Sequence, residues 1–183
     1  MHASGQTAGP ALQTLLEDRA LTGEWVLDPQ RSTIRLKNKV LGGLLTVKGV
    51  FGEVSGHGSV SSGGEASGTI TAAVASIDTK LAKRDTHLRS AEIFDAVNHP
   101  YVTFTVTGIR PSGQGVAVTG VLTVRDLTRP LSFDAAVSAG GNEEVWLDAV
   151  ARTNRADFGL RWKGDGIAST TTTLTIHAVF TRR

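Results

Sequence analysis

The strongest constraint on this chain is a two-residue alternation of apolar and polar side chains that recurs along most of its length. In Ser32-Thr33-Ile34-Arg35-Leu36-Lys37-Asn38, Ile34 and Leu36 fall on one side and Arg35 and Lys37 on the other. Val102, Phe104 and Val106 alternate with Thr103, Thr105 and Thr107. Val116, Val118, Leu122 and Val124 line up with Gly120 among them. Leu131, Phe133, Ala135 and Val137 alternate with Ser132, Asp134 and Ala136, and Leu174, Ile176, Ala178 and Phe180 oppose Thr173, Thr175, His177 and Val179. Successive side chains of a strand point to opposite faces, so each segment buries one face and wets the other. The wealth of Val and Thr suits that role.

Further strands are read at residues 23–27, 54–60, 67–76 and 145–153. Ser61-Ser62-Gly63-Gly64, Pro111-Ser112-Gly113 and Gly140-Gly141-Asn142 separate pairs of runs as hairpin loops do. About eight to nine short strands, with no helix between most of them, define an all-β barrel or sandwich. Residues 79–97 break the pattern and read as a helical turn or two in a long crossover, with Asp78 and Thr79 placed to cap it. Leu12, Leu15, Leu16 and Ala20 recur at helical spacing, with Glu17, Asp18 and Arg19 between them. A short amphipathic helix is expected there. It either packs on the barrel, covers one end or frays, and its apolar side is a candidate homodimer contact. The first ten residues, small and polar, are expected to be disordered.

With 183 residues, the chain suits one domain with an appendage: an extension over residues 1–22 and a barrel over residues 23–183. The extension is expected to be dispensable for the fold. Nineteen Lys and Arg against 17 Asp and Glu leave a net charge of +2, a weak footprint for nucleic acid, and none is expected as a partner. There is no Cys, which excludes disulfides, thiolate metal sites and thiol nucleophiles. No export signal and no membrane span are read, so a cytoplasmic protein is expected.

A barrel of about eight strands either fills with side chains or holds one slender ligand. The inward set is rich in Val, Leu, Ile and Ala, and the chain has 6 Phe and 1 Tyr; this favours a cavity, though a narrower packed barrel has the same composition. The residues expected to face the lumen and touch an apolar ligand are Ile34, Leu36, Ile70, Phe94, Phe104, Val106, Val118, Leu122, Phe133, Leu174 and Ile176. Asp85-Thr86-His87, with His57 or His99, invites a metal or acid–base reading. The five His residues show no His-x-x-x-His spacing, however. The plainer reading has Arg84, Asp85, His87 and Arg89 pairing with carbonyls and each other to fix the crossover. No metal, cofactor or catalytic residue is expected. Trp25, Trp146 and Trp162 read as core or rim packing, and Arg125 and Arg129 as solvated turn charges.

One segment carries a family resemblance. Ser76-Ile77-Asp78-Thr79, the run from Arg84 through Asp85, His87, Leu88 and Arg89 to Ser90, then Phe94-Asp95, Pro100 and Thr103-Phe104 resemble the YceI-like family. Trp25-Val26-Leu27-Asp28-Pro29 with Ser32 is similar to its opening strand. Lys48-Gly49-Val50-Phe51-Gly52 is similar to its Gly-x-Phe turn. Gly120-Val121-Leu122-Thr123-Val124 with Thr128-Arg129-Pro130 is similar to its hairpin. Arg155-Ala156-Asp157-Phe158-Gly159 is similar to its closing motif. The resemblance spans residues 23–183. It implies an eight-stranded antiparallel lipocalin-like β-barrel, with the helical crossover and the N-terminal helical extension already read. It also implies binding of a polyisoprenoid or other long amphiphilic lipid in the lumen, for transport, storage or protection, without enzymatic activity. The competing reading is a hydrolase or isomerase acting on such a lipid through His87 and Asp85.

Overall fold

The computed structural model describes residues 12–161 and 169–183. The expectation of disorder over the first ten residues and the placement of Trp162 lie outside them.

In chain order the elements are α1 (Leu12–Glu17), β1 (Gly23–Leu27), β2 (Thr33–Val40), β3 (Leu45–Phe51), β4 (Val54–Val60), β5 (Ala66–Ala73), β6 (Ile77–Asp78) and α2 (Ala82–Arg89). Then come β7 (Tyr101–Ser112), β8 (Gly115–Val124), β9 (Leu127–Ala139), β10 (Glu144–Asn154) and β11 (Thr171–Arg182). Every pairing is antiparallel. Hydrogen bonds run β1-β4-β5-β7-β8-β9-β10-β11 and return to β1, so eight strands close a barrel. Closure removes the unpaired edges that an open sheet would leave. β11 is long enough to be shared. Phe180 to Arg182 pair with β1, while Thr172 to His177 pair with β2, which continues through β3 to β6.

The alternation in the sequence is the alternation in the barrel. β8 is the clearest case, with Val116, Val118, Leu122 and Val124 buried and their neighbours partly exposed. Gly120 interrupts that buried series for a steric reason. A Cβ there would lie 2.5 Å from the Phe104 ring and 2.4 Å from the Thr105 carbonyl.

The two ends differ. At one, the β4–β5, β7–β8 and β9–β10 hairpins turn at residues 61–65, 113–114 and 140–143. At the other, the crossover between β5 and β7 and the 3-10 turn Arg155–Phe158 plug the barrel. Ile77 and Ile93 are 0% and 1% exposed there, and Leu88, Phe158 and Leu160 join them. Each large apolar side chain so buried contributes about 1.5–3 kcal/mol. Asp85 is buried beneath the plug and accepts from the Thr79 backbone N–H at 2.9 Å and its hydroxyl at 2.5 Å. Arg84 donates to the Thr79 hydroxyl at 2.8 Å and carbonyl at 2.7 Å, and Arg89 to the Ile77 carbonyl at 2.8 Å.

Four expectations are corrected. Leu81, not Asp78 or Thr79, caps α2, and no side chain bonds the cap; Asp85 reaches back to Thr79 instead. Asp78 is taken by the Lys80 ammonium, whose hydrogen bond holds its carboxyl below the usual carboxylate range. His87 is outside the crossover cluster: its ring is exposed, 3.8 Å from Glu92. β3 and β6 are strands, and the run read as 67–76 leaves the ladder at Ala73, where a 3-10 turn begins.

The N-terminal segment packs on the hairpin end. Leu15 and Leu21 are buried with Trp25 against Val60, Ala139, Val145 and Phe180, so Leu15 serves the barrel of its own chain. Trp25 donates its indole N–H to the Leu21 carbonyl at 2.9 Å. Arg182 donates to the carbonyls of Ala20, Thr22 and Asn142 at 2.6–2.7 Å, and its guanidinium lies 4.6 Å above the Trp25 ring. One cation thus ties the segment to the β9–β10 turn.

Candidate functional site

The inward faces of the strands enclose a cavity of about 240 Å³. It reaches the exposed rim at Gly64 and Pro111 on the hairpin end and stops short of the plug. Nine of the eleven residues expected to face the lumen line it: Ile34, Ile70, Phe104, Val106, Val118, Leu122, Phe133, Leu174 and Ile176. Phe104 and Phe133 meet across the wall with ring centroids 5.4 Å apart and planes tilted by 44°, a favourable aromatic arrangement.

Leu36 and Phe94 are not on the cavity wall. Both pack into the core at the plugged end. Leu36 alternates correctly but sits one pair too far along β2, where the barrel is already filled. Phe94 follows the fully buried Ile93 in the crossover and seals that core.

Sequence reasoning missed a stretch of the wall that carries no side chains. Gly58 of β4 stands opposite Gly68 of β5, and Gly56 lies one inward position further on. No side chain enters the lumen from that pair. An apolar pattern assigns glycine to neither face, so the signal was the spacing of two between Gly56 and Gly58, not a hydrophobic residue. Also missed were Leu21 and Trp25, which bring the N-terminal segment to the rim, and Phe51, Val116, Val145 and Leu147. Trp146 lies on the opposite face of β10 from Val145 and Leu147.

His57 is the one ionisable residue lining the cavity among the described residues, and its ring belongs to the exposed side of β4. The wall can therefore recognise apolar shape and offers little to a charge. Asp85 and His87 do not converge. The first is buried on the inner side of α2, its Oδ1 accepting two hydrogen bonds from Thr79, and the second is exposed on the outside. Asp148 and His177 do form a close pair, 2.6 Å apart, on the outer surface of β10 and β11, away from the lumen wall. Among the described residues no three His, Asp or Glu side chains gather as a metal site, and no helix is long and apolar enough to cross a membrane.

A closed antiparallel barrel with an apolar interior, plugged at one end and open at the other, has the architecture of a lipocalin-like barrel. The chain belongs to the YceI-like domain family, whose model matches residues 25–180. An UPF0312 protein of Pectobacterium carotovorum is 41% identical over 68 residues, 37% of this chain and 35% of that protein. Protein YceI of Escherichia coli O157:H7 is 31% identical over 98 residues, 50% of this chain and 51% of that protein. The matched segments thus span about half or less of those relatives. The fold is shared with Burkholderia cenocepacia BcnA, at a TM-score of 0.75, 23% identity, and coverage of 84% of this chain and 98% of that one. It is shared also with a polyisoprenoid binding domain from Saccharophagus degradans, at a TM-score of 0.71, 16% identity, and coverage of 87% and 98%.

Proposed function

We propose that this chain binds a long apolar ligand, a polyisoprenoid or other amphiphilic lipid chain, inside the barrel, and serves to carry, store or protect it without transforming it. The observation that carries the reading is the apolar lumen of about 240 Å³, open at the hairpin end. An apolar cavity of roughly 150 Å³ is dry enough to take a benzene, while compact drug-sized ligands fill about 300–1,000 Å³. A slender chain fits the space between those limits. Each buried methylene contributes about 0.8 kcal/mol, so a chain of about ten carbons offsets the cost of its own ordering. The Saccharophagus degradans domain with this fold is described as polyisoprenoid binding, which supports the ligand class. The hydrolase or isomerase reading through His87 and Asp85 gains no support, because these two groups face different environments.

The test is to fill the lumen from within. Val118→Trp or Val106→Trp places a large ring at mid-strand in the cavity wall. Binding of a fluorescent polyprenyl or fatty-acyl probe then falls at least about tenfold, near 1.4 kcal/mol, while Arg129→Ala, at an exposed position near the start of β9 and off the cavity wall, leaves it unchanged. Folded Trp variants that bind the probe as tightly as the parent would place the ligand elsewhere. Native mass spectrometry of the gently purified protein is expected to show a co-purified lipid.

A further inference from the structure

The outer face of β10, β11, β2 and β3 carries a charge arrangement that the barrel itself does not need. One row across these four strands reads Arg152, Thr173, Lys37 and Lys48, each in register with the next. Lys37 and Lys48 stand directly opposite each other. Like charges so placed destabilise a ladder. Arg35 lies one outward position towards the open end on β2, and Lys39 one position towards the tip of the β2–β3 hairpin. All five cations are exposed, and none has a carboxylate partner among the described residues. The two acids closest in register are already engaged, Asp148 by His177 at 2.6 Å and Asp78 by Lys80 at 2.8 Å.

The same hairpin ends in an apolar tip. Gly42 and Gly43 turn the chain at φ of 64° and 92°, and Leu44 and Leu45 follow at 85% and 56% exposed. Leu81, Val97, Tyr101 and Leu127, at the plugged end to which this tip belongs, are exposed as well.

We propose that the β2–β3 hairpin docks this protein on an anionic lipid bilayer. Leu44 and Leu45 enter the interfacial zone, and Lys37, Lys39 and Lys48, with Arg35 and Arg152, meet the headgroup phosphates. The charge complementarity is the row itself: it is unfavourable in isolation and satisfied by a surface of negative charge. Apolar side chains beside unpaired cations are what binding to an anionic lipid surface requires. A nucleic acid would use the cations but has no place for two exposed leucines, and the row offers no aromatic platform for bases. This surface is separate from the lumen, so docking and ligand uptake are tested apart.

The experiment is flotation of the full chain with phosphatidylcholine vesicles, with and without phosphatidylglycerol, at low and high salt. Binding is expected only with phosphatidylglycerol and is expected to fall as salt rises. Lys48→Glu, alone and with Lys37→Gln and Lys39→Gln, is expected to weaken vesicle binding by about tenfold or more. Single Lys48→Glu should melt no lower than the parent, because it now faces Lys37. Leu44→Ser with Leu45→Ser is expected to weaken binding at all salt concentrations. Binding of the polyprenyl probe in the lumen stays unchanged in every variant. Equal binding to both vesicle types, binding to neither, or folded variants that bind as the parent does would overturn the proposal. So would competition by single-stranded RNA that the lysine variants abolish while vesicle binding persists.

Discussion

Gly120 holds its place because Phe104 crosses the position where its side chain would be. Gly120→Ala is expected to cost about 1–3 kcal/mol through overpacking, read as a lower midpoint in urea with an unchanged slope. Asp85 and His87, two residues apart on α2, should respond in opposite ways. Asp85→Ala removes a buried carboxylate that two Thr79 donors rely on, and about 1.5–3 kcal/mol of stability goes with it. His87→Ala, at an exposed site, stays within about 0.5 kcal/mol of the parent. A melting curve for each variant separates them. The sequence places these residues in one polar cluster, and it is helix geometry that pulls them apart. Positions i and i+2 do not share a face, so only one of the two can turn inward. Leu36 shows the converse. Its face was legible from the alternation, but its depth was not, because nothing in a two-residue period says where along the barrel the core ends and the cavity begins.

The N-terminal segment and its anchor behave as one element. Arg182 donates to carbonyls of Ala20, Thr22 and Asn142, so a single side chain on β11 holds the N-terminal segment and the β9–β10 turn together. Arg182→Ala is expected to speed amide exchange over residues 15–22 and leave protection in β7, β8 and β10 intact, as measured by hydrogen–deuterium exchange. Deleting residues 1–22 should leave a strand-dominated circular dichroism spectrum and a cooperative transition. The cost, about 1–3 kcal/mol, is the lost burial of Leu15 and Leu21 less the entropy of ordering the segment. That is well within the ~5–15 kcal/mol that a domain has. Among the strands, the alternating ones were legible from the sequence. β3 was not, because Gly49 breaks its inward series. Glycine is used there for a close approach: a Cβ would lie 3.1 Å from Thr79 and 3.4 Å from Leu36. β6 is two residues long, too short for any period to register.

For the molecule as a whole, the strands and the direction of their apolar faces follow from the alternation, the choice of an eight-stranded barrel over a sandwich from the family resemblance, and the closure at one end from neither. The plug is assembled from Ile77, Ile93, Phe158 and Leu160, which lie far apart along the chain and belong to no strand run that a pattern would join. That closure makes the lumen a dead-end tube. Whatever slides in must pass any water it displaces, since nothing drains through the far side. If the proposed function holds, a chain enters and leaves by the same door, last in and first out. Each added unit lengthens the path of withdrawal until the tip reaches the floor, and beyond that point further units hang outside. The barrel is thus a gauge. Residence time should climb with chain length and then level off, and the length at the plateau measures the depth of the tube.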